Sequence, residues 1–314
     1  MASSPTYDPN LFNHTDPEMW TNHAITSPYE PGSVVKPLYA AAAVDAGLVG
    51  WDTMIDCENG TYYAHRGGRI TDHGQEYGQL SVEQGVVKSS NILMAKLGEM
   101  MGNDRLHAVT ERFGFGARTG IELPGESPGI IRPLGNWDGY STRRVPFGQE
   151  MSANSLQVAM AFGALANGGK LMRPILVDHI RAGDEVILKN EPTVVRRVVS
   201  EQTAKESVDV MALVVEEGTG KKARMQQWRS FGKTGTAQIA GPGGYVDGAY
   251  VGSFVGGAPV ERPRVICLIS VYWPDRSNGY YGGTVAAPYV KRVLEKTLTY
   301  MDVPSDRYAV PADR

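Results

Sequence analysis

The sequence predicts an α+β fold in which helices pack on an antiparallel β-sheet, and three observations carry that prediction. Apolar residues recur at helical spacing, between helix start and stop signals, from Ser33 to Glu217. From Trp228 onward the pattern changes to that of strands separated by short Gly/Pro connections. A last helical stretch then closes the chain. The 314 residues suffice for one large domain or two of about 150.

Taken in order, residues 1–32 are rich in Pro, Asn and Asp without a sustained period, and read as an irregular lead-in ending at Glu30-Pro31-Gly32. A helix starts at Ser33, with Pro37 suited to its first turn and Gly47 to its end. Val34, Val35, Leu38 and Ala40 to Val44 leave almost no polar face, so this helix should be buried on all sides. Residues 52–78 show no period and are expected to be irregular. Ser81-Val82-Glu83-Gln84 is a capping-box pattern opening a two-turn helix that ends near Lys88, and a second helix follows Asn91. Further helices are expected over 104–113, 153–166 and 201–217, stopped by Gly114, Asn167-Gly168 and Gly218. Between the last two, PILVDHI, EVILK and VVRRVV are short β-rich runs. Trp228 to Ile239, Ala249 to Ala258 and Arg264 to Trp273 should form an antiparallel meander, followed by a helix from Thr284 to about Met301. The domain is therefore expected over 33–302, its helical part at 33–217 and its sheet part at 226–302, with 303–314 a tail. No internal repeat is visible.

Composition removes several classes of function. Lys plus Arg is 31 and Asp plus Glu is 34, a net charge of −3, too small and too evenly spread for a polyanion partner, so nucleic acid is excluded. Gly and Pro, 37 and 19 residues, stay below the roughly 25–30% that marks low complexity. Cys57 and Cys267 are too few and too far apart for a disulfide framework. No apolar run reaches a membrane-spanning length, and the N-terminus has neither the basic nor the apolar segment of a signal peptide.

Ser33-Val34-Val35-Lys36 places a serine three residues before a lysine at a helix start, where the two share a face and the amine can reach the hydroxyl. A serine hydroxyl needs a base, and a lysine whose pKa is lowered by burial or a nearby cation can serve. The helix N-terminus adds positive potential and backbone donors for an oxyanion. The same spelling recurs at Ser230-Phe231-Gly232-Lys233, but on a predicted strand, where an offset of three puts side chains on opposite faces. Taken alone, the first pair reads first as a helix cap beside a solvated lysine. Ser89-Ser90-Asn91 stands at a helix break: it reads either as an N-cap cluster or as a hydroxyl that relays a proton and an amide that holds a substrate amide. In Lys233-Thr234-Gly235-Thr236, Gly235 removes a side chain where a ligand backbone could approach. Alternation puts Lys233 and Gly235 on one face of that strand and Thr234 and Thr236 on the other.

In this order, S-x-x-K, S-D-N and K-T-G are the set shared by penicillin-binding proteins and serine β-lactamases, and this chain has each of them with Ser90 in place of the middle Asp. PYEPGSVVKP, VVKSSNILMAKLG and FGKTGTAQ resemble, with their flanks, the motifs of class B (monofunctional) penicillin-binding protein transpeptidases. FGFGARTGIELPGESPG, VPFGQEMSANSLQVAMAFGALANGG, YVGSFVGGAP and YYGGTVAAPYV are similar too, so the resemblance covers about residues 5–300. Ser90 in place of Asp is a departure from the middle motif, in a variant that looks usual for this class. The resemblance implies a D,D-transpeptidase that cross-links peptidoglycan stem peptides and needs no cofactor. Ser33 would attack the penultimate D-Ala carbonyl, Lys36 would be its base, and Ser89 the relay to the leaving amine. Asn91 would position the donor amide, and the backbone amides of Ser33 and Thr236 would form the oxyanion hole. Lys233, Thr234, Gly235 and Thr236 would bind the donor's end. β-Lactams should trap Ser33. It further implies strands, a non-catalytic domain and a membrane anchor ahead of SPTYDPN, so the sheet is expected to lack its first strands here. Work on the extracytoplasmic face of a bacterial cytoplasmic membrane is implied as well, beside a glycan polymerase and division or elongation proteins.

A D,D-carboxypeptidase, a β-lactamase-type hydrolase and a non-turning-over penicillin-binding sensor or scaffold share these motifs. Glu99 to Asn103 spells the E-x-x-x-N of a deacylating loop, but continues a predicted helix eight residues after Asn91. Cys57, His65, Asp72 and His73 are ligand-capable types at spacings that fit no tight metal motif, so no metal is assigned. Trp228, Trp273, Tyr280 and Tyr281 read as packing rather than a peptide groove, and Lys88 and Lys96 as solvated.

Overall fold

In the computed structural model, which describes residues 1–64, 68–241 and 243–307, the helix after Ser33 lies within the larger of two hydrophobic cores. A 3-10 turn, Gly32–Val35, leads into α1 (Lys36–Asp45), with Pro37 in its first turn. Every residue from Lys36 to Ala43 is buried, as the lack of a polar face requires. Each buried Leu or Val in such a helix contributes about 1.5–3 kcal/mol. The chain leaves α1 through Gly47 at φ +67°, where Leu48 N–H reaches Ala43 C=O at 3.1 Å and satisfies one of the last carbonyls.

The segment expected to be irregular contains a hairpin: β1 (Thr61–Ala64) pairs antiparallel with β2 (Gly68–Thr71). Strands of four residues offer too few alternations for a period-2 pattern to register. Its last residues lean on the helical body, where the capping box of Ser81 and Gln84 opens α2 (Val82–Lys88). Ser90 caps the next helix, α3 (Asn91–Arg112). The helix expected from 104 is the second half of α3, joined across Gly102, whose φ of 73° and ψ of 163° are not helical. Then come α4 (Ser155–Ala166) and α5 (Glu201–Glu216), capped by Asn154 and Ser200. Between them β3 (His179–Ala182) and β4 (Glu185–Lys189) form an exposed hairpin.

The meander is β5 (Phe231–Gly241), β6 (Gly244–Ala258) and β7 (Val265–Tyr272), antiparallel throughout, in that spatial order. Strand alternation divides its side chains between two cores. Phe254, Cys267 and Ile269 face a cluster with Val290, Leu294 and Leu298 of α6 (Ala287–Tyr300). Val255, Ile266 and Leu268 face the larger core, which holds α1, α3, α4 and α5. The sheet is thus covered by helices on both sides, and β5 is an edge strand lying against the turn that carries Ser33.

Candidate active site

Four elements meet at the head of α1. The 3-10 turn presents Ser33, the only partly exposed residue between Pro31 and Ala43. One helical turn on, Lys36 is fully buried, and its Nζ has three partners: Ser89 C=O at 2.5 Å, Ser89 Oγ at 3.2 Å and Asn91 Oδ1 at 2.7 Å. Ser33 Oγ is not among them, so in this state the expected serine–lysine contact is unmade. Lys36 is drawn instead to the break between α2 and α3.

At that break Ser89 ends α2 in the left-handed conformation, φ 63° and ψ 40°, a conformation that costs a non-glycine residue about 1–3 kcal/mol and needs support from its surroundings. It turns its carbonyl and hydroxyl toward Lys36. From the other side Lys233 of β5, also fully buried, donates to the same Ser89 Oγ at 2.9 Å and to Thr234 C=O at 3.2 Å. One hydroxyl therefore bridges two buried amines. Burial, first, and the charge of Lys233, second, hold the Lys36 amine well below the usual lysine range, while Asp72 opposes them. Burial brings Lys233 itself down to about 7. When Lys36 gives up its proton it gains a lone pair, and of its three partners only Ser89 Oγ has a hydrogen to offer it. Ser89 is accordingly the one neighbour that can reverse its hydrogen bond and pass a proton on.

Ser33, Ser89, Asn91, Thr234 and Thr236 line one open cleft of about 880 Å³. The two threonines face it as alternation requires: Thr234 Oγ1 lies 2.7 Å from Thr219 Oγ1, and Thr236 Oγ1 accepts from Gly282 N–H at 3.2 Å. Lys233 is not in the lining and acts from behind the strand. Gly235 corrects the sequence reading. A side chain there would overlap Val34 Cγ2 and sit 2.5 Å from Ser253 Oγ, so the glycine admits the turn that carries Ser33 against β5 rather than a ligand backbone.

Asp72 and Thr219 belong to the site and no motif announced them. Asp72 follows β2 and receives the backbone of Asn91 at 2.5 Å and of Ile92 at 3.1 Å, and the Ser90 hydroxyl at 2.8 Å. Its carboxylate is thus spent on the head of α3. Among the described residues no group of three His, Cys, Asp or Glu could hold a metal; His65 lies outside the described residues. Glu99 and Asn103 pack α3 against its neighbours, Glu99 taking Arg143 and the Tyr62 hydroxyl and Asn103 the Thr142 hydroxyl. Lys96 is not solvated: it pairs with Glu58 at 2.7 Å and stands over the Tyr62 ring. Lys88 is exposed and lines the cleft with Tyr281, which shares its mouth with His73. Trp228, by contrast, is buried in the smaller core.

Residues 1–295 match the family model described as the penicillin binding protein transpeptidase domain. The chain is similar to the penicillin-binding protein PbpB of Mycolicibacterium smegmatis, 32% identical over 97% of this chain and 48% of that protein. It is also similar to the probable peptidoglycan D,D-transpeptidase PenA of Neisseria flavescens, 33% identical over 96% of this chain and 72% of that one. It therefore spans about half the length of the first of these relatives. Among solved structures, penicillin-binding protein 3 of Mycobacterium tuberculosis in complex with aztreonam superposes with a TM-score of 0.85 at 31% identity, covering 95% of this chain and 68% of the other. The apo transpeptidase domain of Burkholderia pseudomallei penicillin-binding protein 3 gives 0.82 at 31% identity, over 91% and 83%.

Proposed function

The chain belongs to the penicillin binding protein transpeptidase family, and from that premise we propose that it is a serine D,D-transpeptidase that cross-links peptidoglycan stem peptides. The observation that carries this reading is the Ser89 hydroxyl held between two buried lysines on the floor of the cleft that Ser33 enters. Ser33 Oγ attacks the penultimate D-Ala carbonyl of the donor while its proton passes to Lys36, whose amine releases its own proton more readily because of burial and the field of Lys233. The C–N bond to the terminal D-Ala then breaks. Its amine takes a proton through Ser89, and the terminal residue leaves. An acceptor amine attacks the resulting ester, the serine oxygen recovers a proton, and the cross-linking amide remains. Asn91 meets the donor amide, and Thr234 and Thr236 meet its terminal carboxylate. The backbone N–H groups of Ser33 and Thr236 are the oxyanion donors.

β-Lactams mimic the donor and acylate Ser33 on this reading. Asp72 is the one carboxylate among the residues described as lining the cleft, and its oxygens are taken by α3, so no carboxylate there is free to activate water, which supports a long-lived acyl-enzyme. On this reading the chain works on the extracytoplasmic face of a bacterial cytoplasmic membrane, beside a glycan polymerase and division or elongation proteins. The test is turnover of a D-Ala-D-Ala pentapeptide with and without an acceptor amine. A cross-linked product that forms only with the acceptor is expected. Equal D-Ala release without it would make the protein a carboxypeptidase, rapid β-lactam consumption a hydrolase, and acylation without turnover a sensor.

A further inference from the structure

The hairpin that sequence patterning missed ends on a residue with more work than a helix cap requires. α3 already has its own cap in Ser90, whose Oγ accepts from Leu93 N–H at 3.0 Å. Asp72, distant in sequence, nevertheless inserts a nearly fully buried carboxylate into the same turn. One oxygen accepts the Asn91 and Ile92 N–H groups and the other the Ser90 hydroxyl. The residue before it, Thr71, takes the Asn91 side-chain Nδ2 at 2.9 Å on its carbonyl. Thr71 and Asp72 together thus hold both the backbone and the amide of Asn91. That grip leaves Asn91 Oδ1 directed at Lys36 Nζ, 2.7 Å away. It also closes, from the α3 side, the turn in which Ser89 keeps its left-handed backbone.

We propose that Asp72 is a positioning residue for acyl transfer, which fixes Asn91 and Ser89 as the docking points of the Lys36 amine. The inference rests on the transpeptidase reading and adds to it a residue outside the three motifs. A carboxylate in this place also acts at a distance. Its charge favours the protonated amine of Lys36, against burial and against the charge of Lys233 arriving from β5. The other titratable groups around it are Cys57 and Tyr77, whose own proton affinities its charge raises, His73 next in the chain, and Lys96, whose charge reaches Cys57. None of these hydrogen-bonds Lys36, whose partners are Ser89 and Asn91.

Two substitutions separate holding from charge. Asp72→Asn keeps an oxygen for the two backbone N–H groups and removes the charge, so Lys36 should lose its proton more readily. The acid limb of β-lactam acylation should then move down by about one pH unit. Asp72→Ala removes the grip as well, and its maximal acylation rate should fall at least about tenfold below that of Asp72→Asn. Acylation rates are measured against pH by intact mass with a penicillin, alongside the melting temperature. An Asp72→Asn profile that superimposes on the wild type overturns the proposal, as does a folded Asp72→Ala protein that acylates at the wild-type maximum. If Asp72→Ala does not fold, the Asp72→Asn profile decides alone. Wild-type protein that takes no penicillin on Ser33 would instead refute the transpeptidase reading, so the two failures are told apart.

Discussion

Ser33-Val34-Val35-Lys36 and Ser230-Phe231-Gly232-Lys233 are spelled alike and do different things. On the turn into α1, three residues bring the chain back to one face, so Ser33 opens on the cleft and Lys36 reaches its floor. At the start of β5 the same interval points the side chains apart. Lys233 goes to Ser89, whereas Ser230 is buried and donates to Ala223 C=O at 3.0 Å. Backbone period therefore decides which serine opens on the cleft, as the proposed nucleophile must, and which is a peg. The lysines, in contrast, converge: both are fully buried and both donate to Ser89 Oγ. In the proposed reaction one accepts a proton, and the charge of the other lowers its neighbour's affinity for one.

This division of labour can be broken in graded steps. The largest effect belongs to Lys36→Ala, which removes the proposed base and should slow acylation by about 10²- to 10⁴-fold, measured as the rate of penicillin attachment. A loss below about tenfold would move the base elsewhere. Thr234→Ala or Thr236→Ala should each cost about 1.5–3 kcal/mol in recognition of a charged carboxylate, a 10- to 150-fold slower acylation; loss from only one of them would show that the carboxylate does not bridge the pair. The smallest and most diagnostic effect is the pH profile of Lys233→Ala. The charge of Lys233 lowers the proton affinity of Lys36; without it Lys36 keeps its proton to higher pH, and the acid limb of acylation moves upward. An unmoved profile would leave Lys233 as a binding residue only. Asp72→Asn should shift the limb the opposite way, so the two variants bracket the wild type.

Most of the machinery could be read from the chain because it is local. The S-x-x-K pair spans one helical turn, the Ser81 capping box announces α2, and alternation in β5 assigns its threonines to the cleft. What escaped depends on contacts between distant segments. Thr61–Ala64 and Gly68–Thr71 are too short to show a strand period, and Asp72 acquires its role only when that hairpin folds onto the head of α3. Gly235 has the right residue type but the opposite neighbour: its bare face meets Val34 of the nucleophile turn. Lys96 was misread for the same reason, since Glu58, its partner, lies 38 residues away.

The claim that backbone period, not motif spelling, selects the nucleophile is tested most directly by mapping the penicillin-labelled peptide in the wild type, Ser33→Ala and Ser230→Ala. The account predicts one label per chain on the peptide containing Ser33, full labelling of Ser230→Ala and none of Ser33→Ala. Label on any other serine, or undiminished labelling of Ser33→Ala, would contradict it.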